Sequence, residues 1–169
     1  MSTVARLRTE GVLQSWTLAG AEEPGRCFYY ATEWEAFFNA LPTMIVTRPP
    51  QRRRLGMREQ VARFASVFVA NESRGRLELA GMVPPFRRLG PRRLRLWEMR
   101  TSDTRSFGWF AARDVFVAVC GERTARLKDD KSLYVAAQQQ VIDWLARHRV
   151  PNRESVDADD WTDLVSEPA

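Results

Sequence analysis

Apolar residues recur at helical spacing in three stretches of the chain. Spacings of three and four residues, which place side chains on one face of a helix, run through residues 32–41, 57–71 and 131–148. In the first stretch, Thr32 and Glu35 stand three residues apart, as a capping box requires. The pattern therefore predicts three amphipathic helices.

Four other stretches have the character of strands. Residues 27–30 are short and aromatic, and residues 92–101, 106–111 and 115–120 follow one another closely between polar turns. The links between the last three stretches have the length of hairpin connections. An antiparallel meander is therefore predicted for the second half of the chain.

The resulting order, β-α-α-β-β-β-α, predicts an α+β domain in which helices pack on a small antiparallel sheet. We assign this domain to residues 27–150. Residues 77–86 are expected to form an irregular bridge, because no period runs through them. Residues 1–26 are predicted to be an N-terminal extension, and residues 151–169 an acidic tail that is solvated beyond a few contacts of Trp161 and Leu164.

Composition excludes several classes of protein. The longest apolar run, Val115 to Cys120, is far shorter than the roughly 20 residues that cross a bilayer. The first residues also lack the apolar core of a secretory signal, so a cytoplasmic location without membrane contact is expected. Two cysteines and a single histidine, His148, argue against a disulfide framework or a zinc site, and neither metal nor cofactor is expected.

Charge is strongly partitioned along the chain. Residues 48–113 carry a net charge of +11, whereas residues 150–169 carry −5. Of 26 basic residues, 24 are Arg, which binds phosphate bidentately, although a compositional bias toward Arg explains the ratio equally well. The asymmetry suggests a polyanionic partner. One further hypothesis is that the acidic tail lies over the basic middle and weakens its binding of polyanions.

Three consecutive segments resemble the RelE/ParE toxin superfamily, in particular its HigB-like, phage-derived branch. The segments are Leu96-Trp97-Glu98-Met99-Arg100, Thr104-Arg105-Ser106-Phe107-Gly108-Trp109-Phe110 and Asp114-Val115-Phe116-Val117-Ala118-Val119. They are similar to a strand ending in glutamate-apolar-arginine, an aromatic strand that begins with arginine, and an apolar third strand. The resemblance covers residues 27–148 and implies a RelE-like toxin domain.

Members of this superfamily typically cut messenger RNA, often on the ribosome, and an antitoxin holds them inactive. The resemblance thus implies a toxin of a type II toxin-antitoxin system that inhibits translation as a metal-independent endoribonuclease. The implied partners are messenger RNA, the ribosome and a cognate antitoxin with a helix-turn-helix. The reaction needs a base near the 2′-hydroxyl, cations on the phosphate and an acid for the leaving 5′-oxygen.

The resemblance also implies roles for individual residues. Arg105 stands where relatives carry a phosphate-binding arginine, Lys128 lies near a second cationic position, and Tyr134 matches an acid/base or base-stacking tyrosine. The predicted catalytic set is therefore Arg105, Tyr134 and Lys128. For each residue a structural role remains open: a strand-end charge, a solvated lysine and a packed helix tyrosine.

A second set of residues is predicted to bind RNA. It comprises Arg52, Arg53, Arg54, Arg100, Arg123 and Arg126. The three consecutive arginines fall in a loop that contains two prolines and could simply be solvated. Arg100 shares a strand face with Glu98 and could instead pair with it.

A different function class stays open on the same scaffold. A non-catalytic protein could block a partner such as DNA gyrase, as ParE-like relatives do, or act as a phage-derived nucleic-acid-binding adaptor. Substitution of Arg105 and Tyr134 separates the two classes, because a nuclease would lose RNA cleavage while remaining folded, whereas a binder would lose neither its fold nor most of its affinity.

Overall fold

The computed structural model describes residues 2–19, 25–43, 55–151 and 154–168. Its helices are α1 (Thr3–Thr9), α2 (Thr32–Asn39), α3 (Met57–Val69), α4 (Arg74–Ala80), α5 (Thr124–Asp129) and α6 (Ser132–Arg147). Its strands are β1 (Leu13–Ser15), β2 (Cys27–Ala31), β3 (Phe86–Leu89), β4 (Leu96–Arg100), β5 (Thr104–Ala112) and β6 (Val115–Arg123). The α+β class predicted from the sequence is confirmed.

The strands form one six-stranded sheet in the order β1-β2-β6-β5-β4-β3. The predicted meander is present, since β4, β5 and β6 pair antiparallel in succession. The prediction of a purely antiparallel sheet is wrong, because β2 pairs with β6 in the parallel direction. The chain leaves β2 through three helices and reaches the sheet again at its far edge, so the meander brings β6 back beside β2.

Three short elements occupy stretches that were expected to be irregular. Helix α4 begins just before the predicted bridge, where the Ser73 hydroxyl accepts a hydrogen bond from the backbone N–H of Arg76, and it continues into the bridge. Strand β3 starts at the end of the bridge and adds an edge strand beside β4. Residues 121–130, between the third strand of the predicted meander and the last predicted helix, contain the end of β6 and all of α5. Each element buries few side chains, so its apolar pattern is too short to stand out in the sequence.

The N-terminal residues belong to the same sheet and core. Strand β1 pairs antiparallel with β2, and both Leu7 on α1 and Leu13 on β1 are buried beside α6. This arrangement differs from the extension that we expected for residues 2–19. Two helical turns followed by a three-residue strand do not produce a sustained period, which explains why the pattern was missed.

The C-terminal residues 154–168, which we call the strap, also pack against the core. Trp161, Leu164 and Val165 are buried in the cluster on the α3 side of the sheet. The backbone N–H of Val156 donates to the carbonyl of Phe110 at 2.9 Å, so the strap is also hydrogen-bonded to β5. The expected contacts of Trp161 and Leu164 are present, and Ala158 and Val165 are buried as well, so residues 154–168 pack more closely than a largely solvated tail.

Two hydrophobic clusters lie on opposite faces of the sheet. The cluster on the α3 side contains Phe64 and Phe116, and the cluster on the α6 side contains Phe107, Trp109 and Trp144. Side chains alternate between the faces along each strand. Because Glu98 lies directly opposite Phe107 in the β4–β5 register, Glu98 faces α6. Arg100 and Arg105, which are also register partners, share that face.

No helix within the described ranges is both long enough and apolar enough to cross a membrane.

Candidate functional site

Most of the predicted site residues lie at one end of the sheet, where β4 ends and β5 begins, which we call the Arg105 end. Register places Arg100 opposite Arg105, and Arg105 opposite Glu122. Helix α5 follows β6 directly and is tied to the β4–β5 turn by a hydrogen bond from the N–H of Thr124 to the carbonyl of Asp103, 2.8 Å long. The residues gathered here are Arg100, Arg105, Arg123, Arg126, Lys128 and Tyr134. The predicted Arg52, Arg53 and Arg54 lie outside the described residues.

A buried carboxylate forms the centre of this end. The Glu98 side chain is fully buried, and its Oε1 lies 2.7 Å from the Nε atom of Arg87 and 3.6 Å from the Nε atom of Arg100. The pairing of Glu98 with Arg100 that the strand face suggested is thus present. Arg87, which is 52% exposed, closes the solvent side of the pair. The Glu98 cluster consists of Arg87, Glu98, Arg100, Arg105 and Tyr134.

Arg105 is held inside the protein. Only 5% of the residue is exposed, and its Nη1 donates to the carbonyl oxygens of Thr101 and Thr104, the latter at 2.7 Å. Its Nη2 lies 3.2 Å from the sulfur of Met82. These contacts fix the turn between β4 and β5. In this arrangement Arg105 orders the backbone of the site and presents little of itself to solvent.

The electrostatics of the cluster favour an added anion. Burial raises the pKa of Glu98, although the charges of Arg87, Arg105 and Arg100 act in the opposite direction. Burial also lowers the pKa of Arg100, and the nearby charges of Arg105 and Arg87 lower it further. Three arginines therefore share one carboxylate in a poorly hydrated place. The excess positive charge there is suited to binding a phosphate.

Tyr134 lies in the first turn of α6, beside this cluster. Its half-buried ring meets Phe107 edge-on at a centroid distance of 6.1 Å, and the Nζ atom of Lys131 lies 6.0 Å from the ring centroid. The phenol is one of the groups that raise the pKa of Arg100, so it is within electrostatic reach of that guanidinium. A tyrosine hydroxyl with two cations nearby is a reasonable proton donor or acceptor.

The remaining predicted cations are exposed. Lys128 and Arg123 are both solvent-exposed, and Arg126 is anchored by its Nη1, which lies 2.8 Å from Oε2 of Glu122. Their side chains can reach a ligand that approaches from solvent, and each adds positive charge around the Arg105 end.

At the opposite end of β3 and β4, which we call the Arg92 end, the strap supplies the counter-charges. Asp159 lies 2.8 Å from Arg92 and 3.2 Å from Arg88. Asp157 lies 3.2 Å from Arg92 and 3.6 Å from Arg95. Contact between the acidic C-terminal residues and part of the basic middle is thus present. Its effect on polyanion binding stays a prediction.

Sequence reasoning missed Arg87 as a member of the Glu98 cluster. The signal was the four-residue pattern from Phe86 to Leu89, which is apolar at both ends and basic between them. Because the prolines just before it suggested an irregular bridge, Arg87 was not aligned with Glu98, its actual register partner. Within the described residues, no group of three or more His, Cys, Asp or Glu side chains could hold a metal ion.

Comparisons of the chain with protein-family models, with curated proteins and with solved structures gave no significant match.

Proposed function

We propose that this protein is an endoribonuclease that binds RNA at the Arg105 end of its sheet and cleaves the RNA backbone there without a metal ion. The observation that carries the proposal is the excess of arginine over carboxylate around Glu98, next to the half-buried Tyr134. An RNA phosphate supplies the negative charge that this cluster lacks. The tyrosine supplies a group that can move a proton.

The reaction is an internal transesterification. The 2′-oxygen of a ribose attacks the adjacent phosphorus, so that the P–O2′ bond forms while the P–O5′ bond breaks. The proton of the 2′-hydroxyl leaves to solvent water, and Tyr134 delivers a proton to the departing 5′-oxygen. The products are a 2′,3′-cyclic phosphate and a new 5′-hydroxyl end. Positive charge fixed near the phosphate stabilises the additional charge that develops on its oxygens.

The cluster residues differ in what they do in this proposal. Arg87, which is 52% exposed, binds the phosphate oxygens, and Arg100, which is 12% exposed, adds positive charge behind it. Tyr134 transfers a proton. Glu98 and Arg105 are positioning residues, because the first is fully buried between arginines and the second is bonded to two backbone carbonyls. Lys128, exposed on α5, adds positive charge along the path of the RNA.

The resemblance to RelE/ParE toxins supplies the biological setting of the proposal. In that setting the substrate is a translated messenger RNA, the site of action is the ribosome in the cytoplasm, and a cognate antitoxin with a helix-turn-helix restrains the protein. The observed order of strands and helices is compatible with a RelE-like topology, which stays part of the proposal.

The experiment is tightly induced expression in a bacterial host, with growth followed alongside primer extension on an abundant message. We expect growth arrest and discrete new 5′ ends with the wild-type protein. Both are expected to disappear with Tyr134→Phe and with Arg87→Gln, which removes a half-exposed cation. Arg113→Gln is the matched control, because Arg113 is exposed in the β5–β6 turn at the other end of β5.

Purified protein with a labelled RNA, with and without ribosomes, gives the chemical readout. Cyclic phosphate ends are expected from the wild type and from Arg113→Gln. Cleavage by Tyr134→Phe at the wild-type rate would remove Tyr134 from the mechanism, and absence of cleavage in every condition would refute the proposal.

A second candidate is a binding protein that cuts nothing, such as a gyrase-inhibiting toxin or a nucleic-acid-binding adaptor. The observation that favours it is the burial of Arg105, since an arginine bonded to carbonyls is not available to a substrate. Growth arrest without new 5′ ends, retained in Tyr134→Phe, would support this candidate against the nuclease.

A further inference from the structure

A groove of about 360 Å³ lies between the C-terminal end of α2 and the junction of β6 with α5. Phe37 and Leu41 form its apolar side, and Glu122, Arg123 and Arg126 form its polar side. Its volume falls within the range of about 300–1,000 Å³ that small-molecule sites occupy. The groove can therefore hold a ligand the size of one nucleotide.

The aromatic side of the groove depends on a glycine. The ring of Phe37 lies so close to Gly121 that a Cβ atom at that position would come within 2.2 Å of two ring carbons. Only glycine allows the ring to rest on the strand in this way. Phe37 is half-buried and lines the groove, so part of its ring is accessible to a ligand.

The polar side carries a cation, Arg123, for which the described residues provide no acidic partner. Glu122 is engaged through both oxygens, since Oε1 accepts from the backbone N–H of Arg123 and Oε2 from Nη1 of Arg126, each at 2.8 Å. Within the described parts of the chain, the guanidinium of Arg123 has no such acceptor. An accessible aromatic ring beside a free guanidinium is the combination that holds an unstacked base and its phosphate.

The groove adjoins the Glu98 cluster through β6 and β5. Glu122, which lines the groove, is the register partner of Arg105, and neighbouring strands lie about 4.8 Å apart. Phe37 packs on the α3 side of the sheet, whereas the Glu98 cluster faces α6. An RNA strand that passes over this end of the sheet would meet first one site and then the other.

We infer that the groove is a nucleotide subsite in which one RNA base stacks on Phe37 while its phosphate lies on Arg123. The inference rests on the proposed function, and it adds the element that selects the nucleotide beside the cleaved bond. The arginines of the Glu98 cluster contact only phosphate, so they carry no sequence information, whereas a base enclosed in a groove can be discriminated by its shape.

The test is a titration of the full-length protein with each of the four nucleoside 5′-monophosphates and with inorganic phosphate, followed by ¹⁵N NMR. We expect at least one nucleotide to shift the backbone signals of Gly121 and Arg123, and inorganic phosphate to shift them less at the same concentration. Phe37→Leu is expected to weaken the nucleotide about tenfold, because it removes the stacking surface.

Arg123→Gln changes an exposed side chain and tests the phosphate contact without a risk to folding. It is expected to weaken the nucleotide, whereas the exposed control Arg113→Gln leaves the affinity unchanged. The inference is overturned if no nucleotide shifts these signals, if inorganic phosphate shifts them as strongly, or if Phe37→Leu binds as tightly as the wild type.

The two proposals fail separately. If a nucleotide binds in the groove but no RNA is cut under any condition, the subsite stands as a nucleotide-binding site and the nuclease proposal falls. If the wild type cuts RNA and Phe37→Leu cuts the same positions at the same rate, the nuclease stands and the subsite is wrong. A changed set of cleavage positions in Phe37→Leu supports both.

Discussion

The two ends of the sheet are both rich in arginine, but they differ in what lies against the guanidinium groups. At the Arg92 end, Asp157 and Asp159 of the strap pair with Arg88, Arg92 and Arg95. At the Arg105 end, three arginines surround the single buried carboxylate of Glu98, and further cations on α5 and β6 point to solvent. At the Arg92 end two carboxylates of the strap face three arginines, whereas at the Arg105 end one buried carboxylate faces three arginines.

A run of basic residues in a sequence therefore does not by itself locate a binding surface. The net charge of +11 over residues 48–113 is distributed between a part that is already paired and a part that is available. The location of a polyanion site depends on the acids that the fold brings back to the basic residues, and here those acids come from more than fifty positions further along the chain.

Weakening the packing of the strap against the core is expected to cause the largest loss of stability. Leu164→Ala removes a fully buried side chain from the cluster on the α3 side, and such changes typically cost about 2–5 kcal/mol of the free energy of unfolding. Urea unfolding measures the loss. Val135→Ala at the Arg105 end, where 69% of the residue is exposed, should change it by less than about 0.5 kcal/mol. Equal effects would mean that the strap contributes nothing to the fold.

Arg26 provides a second way to loosen the strap. Its buried guanidinium pairs with Asp114 at 3.3 Å and donates to the carbonyl oxygens of Glu72 and Ser166, so it joins three segments. Because Asp114 is 19% exposed, we expect Arg26→Met to cost about 2–3 kcal/mol, near the lower limit for breaking a buried pair. The loss would be measured as a lower free energy of unfolding in urea and as faster protease cleavage within residues 154–168. The exposed Arg113→Met is the control, and a wild-type cleavage rate in Arg26→Met would contradict the prediction.

The burial of Glu98 at the Arg105 end can be tested through the pH dependence of the free energy of unfolding. The folded pKa of Glu98 is raised above its ordinary value of 4.5, chiefly by burial, so the folded state binds more protons than the unfolded state between the two pKa values. Stability should therefore fall as the pH rises from about 4.5 to the folded pKa, by about 1.4 kcal/mol for each pH unit that separates the two.

Urea unfolding across this pH range, with Glu98→Gln beside the wild type, isolates the contribution of Glu98. The variant is expected to lose that part of the slope, because glutamine does not titrate. Glu78→Gln, a half-exposed position on α4, should keep the wild-type pH dependence. If the slopes of wild type and Glu98→Gln coincide, the carboxylate is not desolvated as described.

The smallest effect is expected at the Arg92 end. The double variant Asp157→Asn/Asp159→Asn removes the strap's counter-charges from Arg92, and non-specific RNA affinity at low salt should rise about three- to fivefold, a small change because exposed ion pairs are weak. Fluorescence anisotropy with a labelled RNA measures the change, and the salt dependence should become steeper. Asp143→Asn/Asp163→Asn alters the net charge equally at exposed positions and serves as the control. An equal rise in RNA affinity in both double variants would contradict the expectation that the strap masks the positive charge of the Arg92 end.

The parts of the fold that could be predicted are those with long, strong periods. Helices α3 and α6 and strands β5 and β6 are 9 to 16 residues long and contribute several buried apolar residues each, and their patterns identify them. Strands β1 and β3 and helices α4 and α5 are three to seven residues long, too short for a period to be distinguished from chance. The parallel pairing of β2 with β6 joins positions far apart in the chain, and no local pattern encodes it.

The candidate site follows the same rule. The hairpin predicted between β4 and β5 is present, and its register places Arg100 opposite Arg105. The burial of Arg105 could not be predicted, because it depends on the carbonyl groups of the turn and on Met82, which approaches from a different segment. The place of Arg87 beside Glu98 could not be predicted, because it depends on the register of β3, a strand that the sequence did not reveal.

The strap also sets the order in which the molecule can be completed. Arg26 is bonded to Ser166, 140 positions away, so one face of the core stays open until the ribosome has synthesised nearly all of the described chain. Until then Phe64, Phe68 and Phe116 have no cover from the C-terminal side, and a nascent or truncated chain presents this aromatic surface to chaperones and proteases. Because contacts this distant in sequence close slowly, synthesis and final folding are separate events for this protein.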